Sequence, residues 1–231
     1  MQGKCINMLK AVFFDMDGVL LNSMPVHAEA WVEVMNRHGL AFTPRDAFLN
    51  EGRTGRDVIR EAILQYEHRD AEADELEAIY REKNEAFKHR PEPGPVEGVQ
   101  QVLQVLGEMG IERWIVTGSG LLDLKERLEK YFPGIFTPER MITAYDVTHG
   151  KPHAEPYLKA WERCGYHKDE CIVVENAPLG VRSGKAAELF TIAVNTGPLT
   201  EDDLLQAGAD IVMDNMYELN NWIQEYGKRR D

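Results

Sequence analysis

The feature that most constrains this chain is an apolar run that ends in two carboxylates. Residues 11–14 are all apolar, without alternation, which is typical of a strand buried on both faces, as in a parallel sheet. Asp15 follows directly, Asp17 comes two residues later, and Gly18 lets the backbone turn sharply away. Because ligands bind at the carboxyl ends of strands in open α/β sheets, the run predicts a binding site at Asp15.

Two carboxylates held this close repel each other, so one must be protonated or a cation must join them. Mg²⁺ is a hard ion that prefers such oxygen ligands. A calcium loop of the EF-hand type is disfavoured, since Gly18 comes too early and residues 19–21 offer no side-chain oxygen. The apolar run also argues against a solvated turn. A helix N-cap without chemistry remains the alternative interpretation.

Length and charge narrow the class of protein. The 231 residues suffice for one large domain, or for a core with a smaller one. The net charge of −13, from 26 basic and 39 acidic residues, disfavours nucleic acid or an anionic membrane as a partner. It does not exclude a small phosphorylated substrate, because local lysines and Mg²⁺ can override the overall sign.

The cysteines and the N-terminal residues predict a cytoplasmic protein. Cys5, Cys164 and Cys171 are odd in number and form no C-x-x-C pair, which suits a reducing compartment. Residues 1–8 have no apolar signal-peptide core, and no run is long enough to span a membrane.

An all-helical insert is predicted after the first strand. Ser23 is the expected N-cap of its first helix. Three helices are indicated, around residues 23–39, 58–66 and 76–87. The proline-rich stretch 91–95 stops the third helix, because proline cannot continue one. We therefore predict a helical cap domain over residues 22–91, inserted between core segments 1–21 and 92–231 and able to act as a hinged lid.

From residue 96 onward, predicted strands alternate with predicted helices. This alternation indicates the α/β class, with a doubly wound parallel sheet and helices on both faces. The predicted strands after the first cover residues 113–117, 141–144, 171–175, 189–194 and 211–213.

Polar residues follow several of these strands and predict a site for phosphoryl transfer. Strand ends converge at the switch point of such a sheet, so these residues are expected to meet near Asp15. Glu175 and Asn176 can supply hard oxygen ligands for a metal ion. Thr117 and Lys151 can meet the oxygens of a phosphoryl group, Lys151 as a point charge.

The backbone after Thr117 adds donors, since the amides of Gly118 and Ser119 are expected at a helix N-terminus. Each motif taken alone has a plainer interpretation. Thr117 can cap the next helix, Lys151 can be a surface lysine, and residues 175–176 can cap a helix near residue 179. Residues 118–120 lack the third glycine of a dinucleotide-binding loop, and residues 180–185 are too short for a P-loop.

Taken together, the motifs resemble those of the haloacid dehalogenase (HAD) superfamily. The motifs are Asp15-x-Asp17, Thr117, Lys151 within residues 150–152, and Glu175-Asn176. The helical insert resembles the small cap of the β-phosphoglucomutase-like phosphatases in that superfamily. Residues 51–55, 116–120 and 174–180 are most similar to those of a HAD inorganic pyrophosphatase.

The resemblance implies a role for each core residue. Asp15 would attack phosphorus and form an aspartyl phosphate, and Asp17 would act as general acid and then base. Mg²⁺ would bind the Asp15 carboxylate, the Asp17 main-chain carbonyl, and the pair Glu175 and Asn176.

Two positions depart from the pattern of the superfamily. Asn176 stands where most members have Asp, so the metal site loses one negative charge, which a cap residue such as Glu51 can restore. Glu188 stands where glycine is usual, and we attach no function to it.

The resemblance also places two cap residues, His27 and Lys83, opposite the substrate. Glu51 and Arg53 are further candidate substrate-binding residues, and Arg56, like Arg53, can meet a phosphate group. From the residues alone, His27 can equally be an ordinary core histidine. Lys83, within an apolar stripe, can extend its ammonium to solvent. Arg53, like Arg56, can be a solvated surface charge.

We therefore expect a Mg²⁺-dependent phosphohydrolase that acts on a small phosphorylated metabolite or on inorganic pyrophosphate. The alternative is a β-phosphoglucomutase that interconverts β-glucose 1-phosphate and glucose 6-phosphate, although Gly55 stands where the mutases carry an arginine. A non-catalytic phosphate-binding protein is a remote third possibility, supported only by Asn176. The oligomeric state stays open, and a monomer is compatible with the sequence.

Overall fold

The computed structural model describes residues 8–119 and 124–228 and contains one six-stranded, entirely parallel sheet. The strands are β1 (Ala11–Phe14), β2 (Glu112–Val116), β3 (Met141–Ile142), β4 (Cys171–Glu175), β5 (Phe190–Val194) and β6 (Ile211–Met213). Their order across the sheet is β3-β2-β1-β4-β5-β6. The chain thus fills one side of β1 and then the other, and the predicted doubly wound sheet is confirmed.

Strand β1 lies at the centre of this sheet, and its side chains enter two separate cores. Val12 and Phe14 belong to one apolar cluster, whereas Ala11 and Phe13 belong to the cluster on the opposite face. All four residues are completely buried. The absence of alternation in the sequence is explained by this burial on both faces, as predicted.

Helices cover both faces of the sheet and form the insert after β1. The insert holds α1 (Met24–Arg37), α2 (Pro44–Leu49), α3 (Gly55–Glu67) and α4 (Ala73–Lys88). The remaining helices are α5 (Val99–Glu108), α6 (Leu124–Tyr131), α7 (Glu155–Cys164), α8 (Pro178–Ala186), α9 (Glu201–Gln206) and α10 (Met216–Lys228). Within the described ranges, none of the helices has the length and apolar character needed to cross a membrane.

The structure adds three helices that the apolar spacing did not reveal, namely α2, α9 and α10. Helix α2 begins with a capping box, in which Thr43 and Asp46 each satisfy the other's backbone amide. Its six residues are too few for a periodic apolar pattern, so the capping box is the readable signal. Helix α1 ends at Arg37, two residues before the predicted end at Gly39, which adopts a positive φ of 78°.

The insert packs directly onto the core. Arg45 of α2 donates to Asp203 of α9 at 2.7 Å. The ring of Phe48 occupies the space beside Gly197, where a Cβ atom would lie 2.2 Å from that ring. These contacts hold α2 beside the carboxyl ends of the central strands.

Candidate active site

The carboxyl ends of the neighbouring strands β1 and β4 bring the carboxylates of Asp15 and Glu175 together. The register pairs Phe14 with Val174, so Asp15 and Glu175 are the next residues on neighbouring strands. The amide of Asp15 donates to the carbonyl of Val174 at 3.0 Å. Asp15 is 5% exposed and Glu175 is 1% exposed, so both carboxyl groups are removed from bulk water.

Lys151 lies between these carboxylates. Its Nζ donates to Asp15 Oδ1 and to Glu175 Oε1, both at 2.5 Å. Burial opposes the charge of Lys151, but the two carboxylates outweigh it and raise its pKa above the usual value. Burial raises the pKa of Asp15, and it raises the pKa of Glu175 to about 7, although Lys151 counteracts both. The buried cluster therefore still contains more acidic groups than basic ones when Lys151 is counted as their partner.

A third carboxyl group reaches this cluster from the helical insert. Glu51 Oε2 accepts from Asn176 Nδ2 at 2.9 Å. Burial raises the pKa of Glu51 well above its usual value, and the charges of Asp15 and Glu175 raise it further. Glu51 Oε1 and Asn176 Oδ1 are both buried and have no hydrogen-bond partner among the described residues. Unpaired buried oxygens among several carboxyl groups form a donor set that suits a hard divalent cation.

Two glycines make room for this cluster. A Cβ atom on Gly18, which has a φ of 82°, would lie 2.0 Å from Asn176 Nδ2. A Cβ atom on Gly180 would lie 2.0 Å from Glu175 Cδ. Glu175 and Asn176 can therefore take these positions only because both facing residues lack a side chain.

Asp17 is held by the first turn of α1. Ser23 Oγ donates to Asp17 Oδ1 at 2.5 Å, and His27 Nε2 lies 3.9 Å from the same oxygen. Ser23 is the N-cap by position, as predicted, but its side chain makes no capping hydrogen bond. The expectation that the Ser23 hydroxyl caps the helix is wrong, because that hydroxyl donates to the carboxylate of Asp17.

Lys83 and His27 are in direct contact beyond Asp17. Lys83 Nζ lies 2.9 Å from His27 Nδ1, and it lies 5.0 Å and 5.2 Å from the ring centroids of Trp31 and Phe87. Burial lowers the pKa of Lys83 to about 8. Burial, followed by the charge of Lys83, lowers the pKa of His27 well below its usual value, so a neutral imidazole accepts from the ammonium. Lys83 is only 5% exposed, which rules out the interpretation that it extends into solvent.

The loop after β2 lies beside the insert. Thr117 is buried, and its Oγ1 accepts from the amide of Ser119 at 3.0 Å. That amide is therefore occupied, and among residues 8–119 and 124–228 no acceptor engages the hydroxyl proton of Thr117. The carbonyl of Gly52 lies 3.6 Å from the position of a Cβ atom on Gly118. The sequence predicts a helix that opens at residues 118–120. Residues 118 and 119 are not helical, residue 120 falls outside the described residues, and the described part of α6 begins at Leu124.

The two arginines named from the sequence do not join the carboxylate cluster. Arg53 lies 3.8 Å from Glu61 of α3, and Arg56 pairs with Glu77 on the surface. Arg53 Nε is buried without a hydrogen-bond partner. The interpretation of Arg56 as a surface charge fits this geometry, whereas a substrate contact for Arg53 stays a prediction.

Sequence reasoning missed Tyr157 of α7, which contacts the carboxylate cluster through Glu175. Its hydroxyl donates to Glu175 Oε1 at 2.6 Å, and Lys151 Nζ lies 5.3 Å from its ring centroid. Burial raises the pKa of Tyr157 well above its usual value, which keeps the hydroxyl a donor. Its position on an apolar helix face reads as core, so the available signal was only that a buried tyrosine needs a partner.

Comparison with known proteins agrees with this geometry. The profile of the haloacid dehalogenase-like hydrolases matches residues 9–188. Hexitol phosphatase A of Escherichia coli (strain K12) is 35% identical over 202 residues, which cover 85% of this chain and 89% of that protein. The "Putative pyrophosphatase PpaX" of Clostridium perfringens is 29% identical over 225 residues, which cover 94% of this chain and 99% of that protein.

A solved structure is also similar along most of its length. The "Putative beta-phosphoglucomutase from Bacteroides vulgatus" has 46% sequence identity and a TM-score of 0.86, over 94% of this chain and 88% of that chain. The match of the family profile covers well over half of the chain, including the motifs from Asp15 to Asn176. The chain belongs to the haloacid dehalogenase-like hydrolases and is a HAD-type phosphatase.

Proposed function

We propose that this phosphatase is a Mg²⁺-dependent phosphohydrolase that transfers the phosphoryl group of a small phosphorylated compound to Asp15 and then to water. One observation carries the proposal. The carboxylate of Asp15, at the end of the central strand, is buried against Lys151, with Asp17 two residues away and held by Ser23. A fixed nucleophile beside a second, independently oriented carboxyl group is the arrangement that two-step phosphoryl transfer requires.

In the first step, an oxygen of Asp15 bonds to phosphorus while the bond from phosphorus to the leaving oxygen breaks. Asp17 gives its proton to that leaving oxygen. In the second step, Asp17 takes a proton from a water molecule, whose oxygen attacks the phosphorus. The bond to Asp15 breaks, and inorganic phosphate is released. Ser23 and His27 orient Asp17 throughout, because both lie against its Oδ1.

The metal site that we propose fits the donor set described above. Asp15, the main-chain carbonyl of Asp17, Glu175 and Asn176 would hold Mg²⁺, and Glu51 would supply the charge that Asn176 lacks. The unpaired oxygens of Asn176 and Glu51 support this assignment. When bound, Mg²⁺ lowers the repulsion between the anionic nucleophile and the anionic phosphoryl group.

Thr117 and Lys151 are proposed to hold the transferred phosphoryl group. The hydroxyl proton of Thr117 and the ammonium of Lys151 are donors suited to its oxygens. The backbone of Gly118 and Ser119 shapes the same edge of the site. In the structure, the Ser119 amide serves Thr117 rather than a ligand.

We also propose that residues 22–91 form a cap that opens and closes over core segments 1–21 and 92–231. Contacts from the insert to the core support a closed arrangement here, since Glu51 meets Asn176 and the carbonyl of Gly52 lies beside Gly118. Closure would bring Glu51, His27 and Lys83 to the substrate and exclude water from the first step.

A hydrolase is favoured over a mutase by the packing at Gly55. A Cβ atom on Gly55 would lie 2.1 Å from Tyr80 Cε2, so the arginine expected of a mutase would require the Tyr80 ring to move. The names of the relatives support sugar phosphates or pyrophosphate as substrates, since they include a hexitol phosphatase and a pyrophosphatase. The mutase remains the second candidate because of the similar structure described under that name.

The decisive experiment measures phosphate release from pyrophosphate, hexitol phosphates, other sugar phosphates and β-glucose 1-phosphate, with Mg²⁺ and after exhaustive chelation. Asp15→Asn should lower turnover by at least about 10⁴-fold, because the nucleophile is lost. Mass spectrometry of acid-quenched wild-type enzyme should place a phosphoryl group on Asp15.

Asp202→Asn, which alters an exposed carboxylate of α9 away from the cluster, is the matched control and should keep full turnover. Undiminished hydrolysis by Asp15→Asn, or by the chelated enzyme, would contradict the proposal. Glucose 6-phosphate formed from β-glucose 1-phosphate without free phosphate would favour the mutase instead.

A further inference from the structure

Helix α6 of the core carries a buried arginine that no contact inside the described protein explains. Arg127 is 8% exposed, and its Nε and Nη2 atoms have no hydrogen-bond partner. Among residues 8–119 and 124–228, Arg127 forms no ion pair, although its charge is near enough to Glu92 to help lower the pKa of that carboxyl group, which is itself paired with Lys130. A buried guanidinium without an anion is costly, so the position calls for a negatively charged ligand.

The two unpaired atoms define the shape of that ligand group. Nε and Nη2 share one edge of the planar guanidinium, and their N–H bonds point in the same direction. This edge matches two oxygens of a single carboxylate or phosphoryl group, which it can bind through parallel hydrogen bonds. A single acceptor, such as a carbonyl oxygen, would leave one of the two donors unsatisfied.

Arg127 lines a cavity of about 460 Å³ between the end of α4, the hinge at residues 90–93 and α6. The volume suits a small ligand. The other cations of its wall are already paired, as Lys88 with Glu85, Arg90 with Glu33, and Lys130 with Glu92. Arg127 is therefore the cation that the described wall leaves available to an anion.

The cavity adjoins the proposed catalytic site through a stacked pair of rings. Phe87 belongs to the cavity wall, and its ring lies 4.2 Å from that of His27. His27 Nε2 in turn lies 3.9 Å from Asp17 Oδ1. After burial and the charge of Lys83, the charge of Arg127 contributes to the lowered pKa of His27, which is a further sign of this proximity.

We propose that Arg127 binds a second anionic group of the substrate while the transferred phosphoryl group lies at Asp15. The preferred substrates are then small phosphorylated compounds that carry another phosphoryl or carboxylate group. This inference rests on the proposed function, because it takes Asp15 as the nucleophile.

Turnover of matched substrates tests the proposal. Arg127→Met keeps most of the side-chain volume and removes the charge. It should lower kcat/KM by about 20- to 100-fold for pyrophosphate and for 2-phosphoglycolate, and by less than about threefold for methyl phosphate and ethyl phosphate. Each variant is compared with wild type on the same substrate, so differences between leaving groups cancel.

Two further variants separate charge from structure. Arg127→Lys keeps the charge but not the paired donors, and it should fall between wild type and Arg127→Met. Lys125→Gln is the matched control, since Lys125 is an exposed lysine of the same helix that does not belong to the cavity wall. Its kcat/KM should stay within about twofold of wild type on every substrate.

Binding to the inactive Asp15→Asn protein separates this inference from the proposed function. With Mg²⁺ present, calorimetry should show that Arg127→Met raises the Kd for methylenediphosphonate by about 20-fold or more. The Kd for methylphosphonate should rise by less than about threefold. If Arg127→Met selectively weakens binding of methylenediphosphonate but wild-type enzyme hydrolyses no substrate, the proposed function is wrong and the second anion position is supported. If wild-type enzyme hydrolyses the substrates but Arg127→Met weakens both phosphonates equally or not at all, the proposed function is supported and the second anion position is wrong.

Three results would overturn the proposal. One is an equal loss for singly and doubly anionic ligands, which would indicate a structural role for Arg127. Another is no loss for either ligand. The third is Arg127-dependent binding of inorganic phosphate to protein already saturated with methylphosphonate, because that would indicate a separate anion site.

Discussion

Lys151 and Lys83 are buried to the same extent, yet their surroundings differ in charge. Each is 5% exposed. Lys151 contacts two carboxylates, which raise its pKa, whereas Lys83 contacts a neutral imidazole and two aromatic rings, and burial lowers its pKa to about 8. The difference shows that partners, rather than depth, decide whether a buried charge is stable. The charge of Lys151 is balanced by two carboxylates, whereas Lys83 forms no ion pair with a carboxylate among residues 8–119 and 124–228.

Removing Lys151 should have the largest effect on stability. Lys151→Met leaves the carboxylates of Asp15 and Glu175 buried without a cation, which should lower the free energy of unfolding by about 3–5 kcal/mol. Urea denaturation in the presence of chelator measures this change. Lys130→Met, at an exposed lysine, is the control and should change the value by less than about 0.5 kcal/mol. A loss below about 1 kcal/mol in Lys151→Met would erase the contrast between the two buried lysines.

Removing Lys83 should raise the free energy of unfolding, whereas removing Lys151 should lower it. The difference between the usual pKa of 10.5 and about 8 corresponds to about 3 kcal/mol of cost for keeping the charge in the folded protein at pH 7. Lys83→Met should therefore raise the free energy of unfolding by up to about 3 kcal/mol, while kcat/KM for a phosphorylated substrate falls about tenfold or more. Urea denaturation and steady-state kinetics on the same preparation check both parts. Lower stability with unchanged kinetics would mean that Lys83 serves the fold alone.

The pH dependence of that stability difference is the smallest and most specific effect. Above pH 8 the folded protein loses the Lys83 proton, whereas the unfolded chain keeps it up to about pH 10.5, so raising the pH removes the cost of the buried charge. The advantage of Lys83→Met should be greatest below pH 8 and should vanish by about pH 10.5. Denaturation at pH 7, 8, 9 and 10 would reveal this closing gap, and a constant gap would show that Lys83 does not titrate as proposed.

More of the α/β core than of the helical insert could be predicted from the sequence. The apolar run before Asp15 fixes β1, and the order of polar strand ends fixes which residues meet, because parallel strands share one carboxyl edge. The hydrogen bonds of Ser23 and Tyr157 were not readable, since each residue also fits an ordinary cap or core position. Helix α2 was missed although its capping box at Thr43 was visible, because six residues carry no periodic signal.

Contacts between the insert and the core could not be derived from local patterns. Glu51 reaches Asn176 across 125 positions in the chain, and its place depends on how α2 packs against the core. The charge lost at Asn176 predicted an acidic partner from the cap, with Glu51 as the example, but the contact itself depends on tertiary packing. Arg127 had no sequence signal at all, because a lone arginine within an amphipathic helix reads as surface.

The two glycines that face the carboxylate cluster limit how this enzyme can evolve. Even a single methyl group at Gly18 or Gly180 would overlap the side chains of Asn176 or Glu175. New specificities must therefore arise in the helical insert and around residues 90–93, where side chains can be exchanged without altering the carboxylate cluster. A directed-evolution library that leaves both glycines fixed and varies the walls of the cavity would lose the fewest members to misfolding.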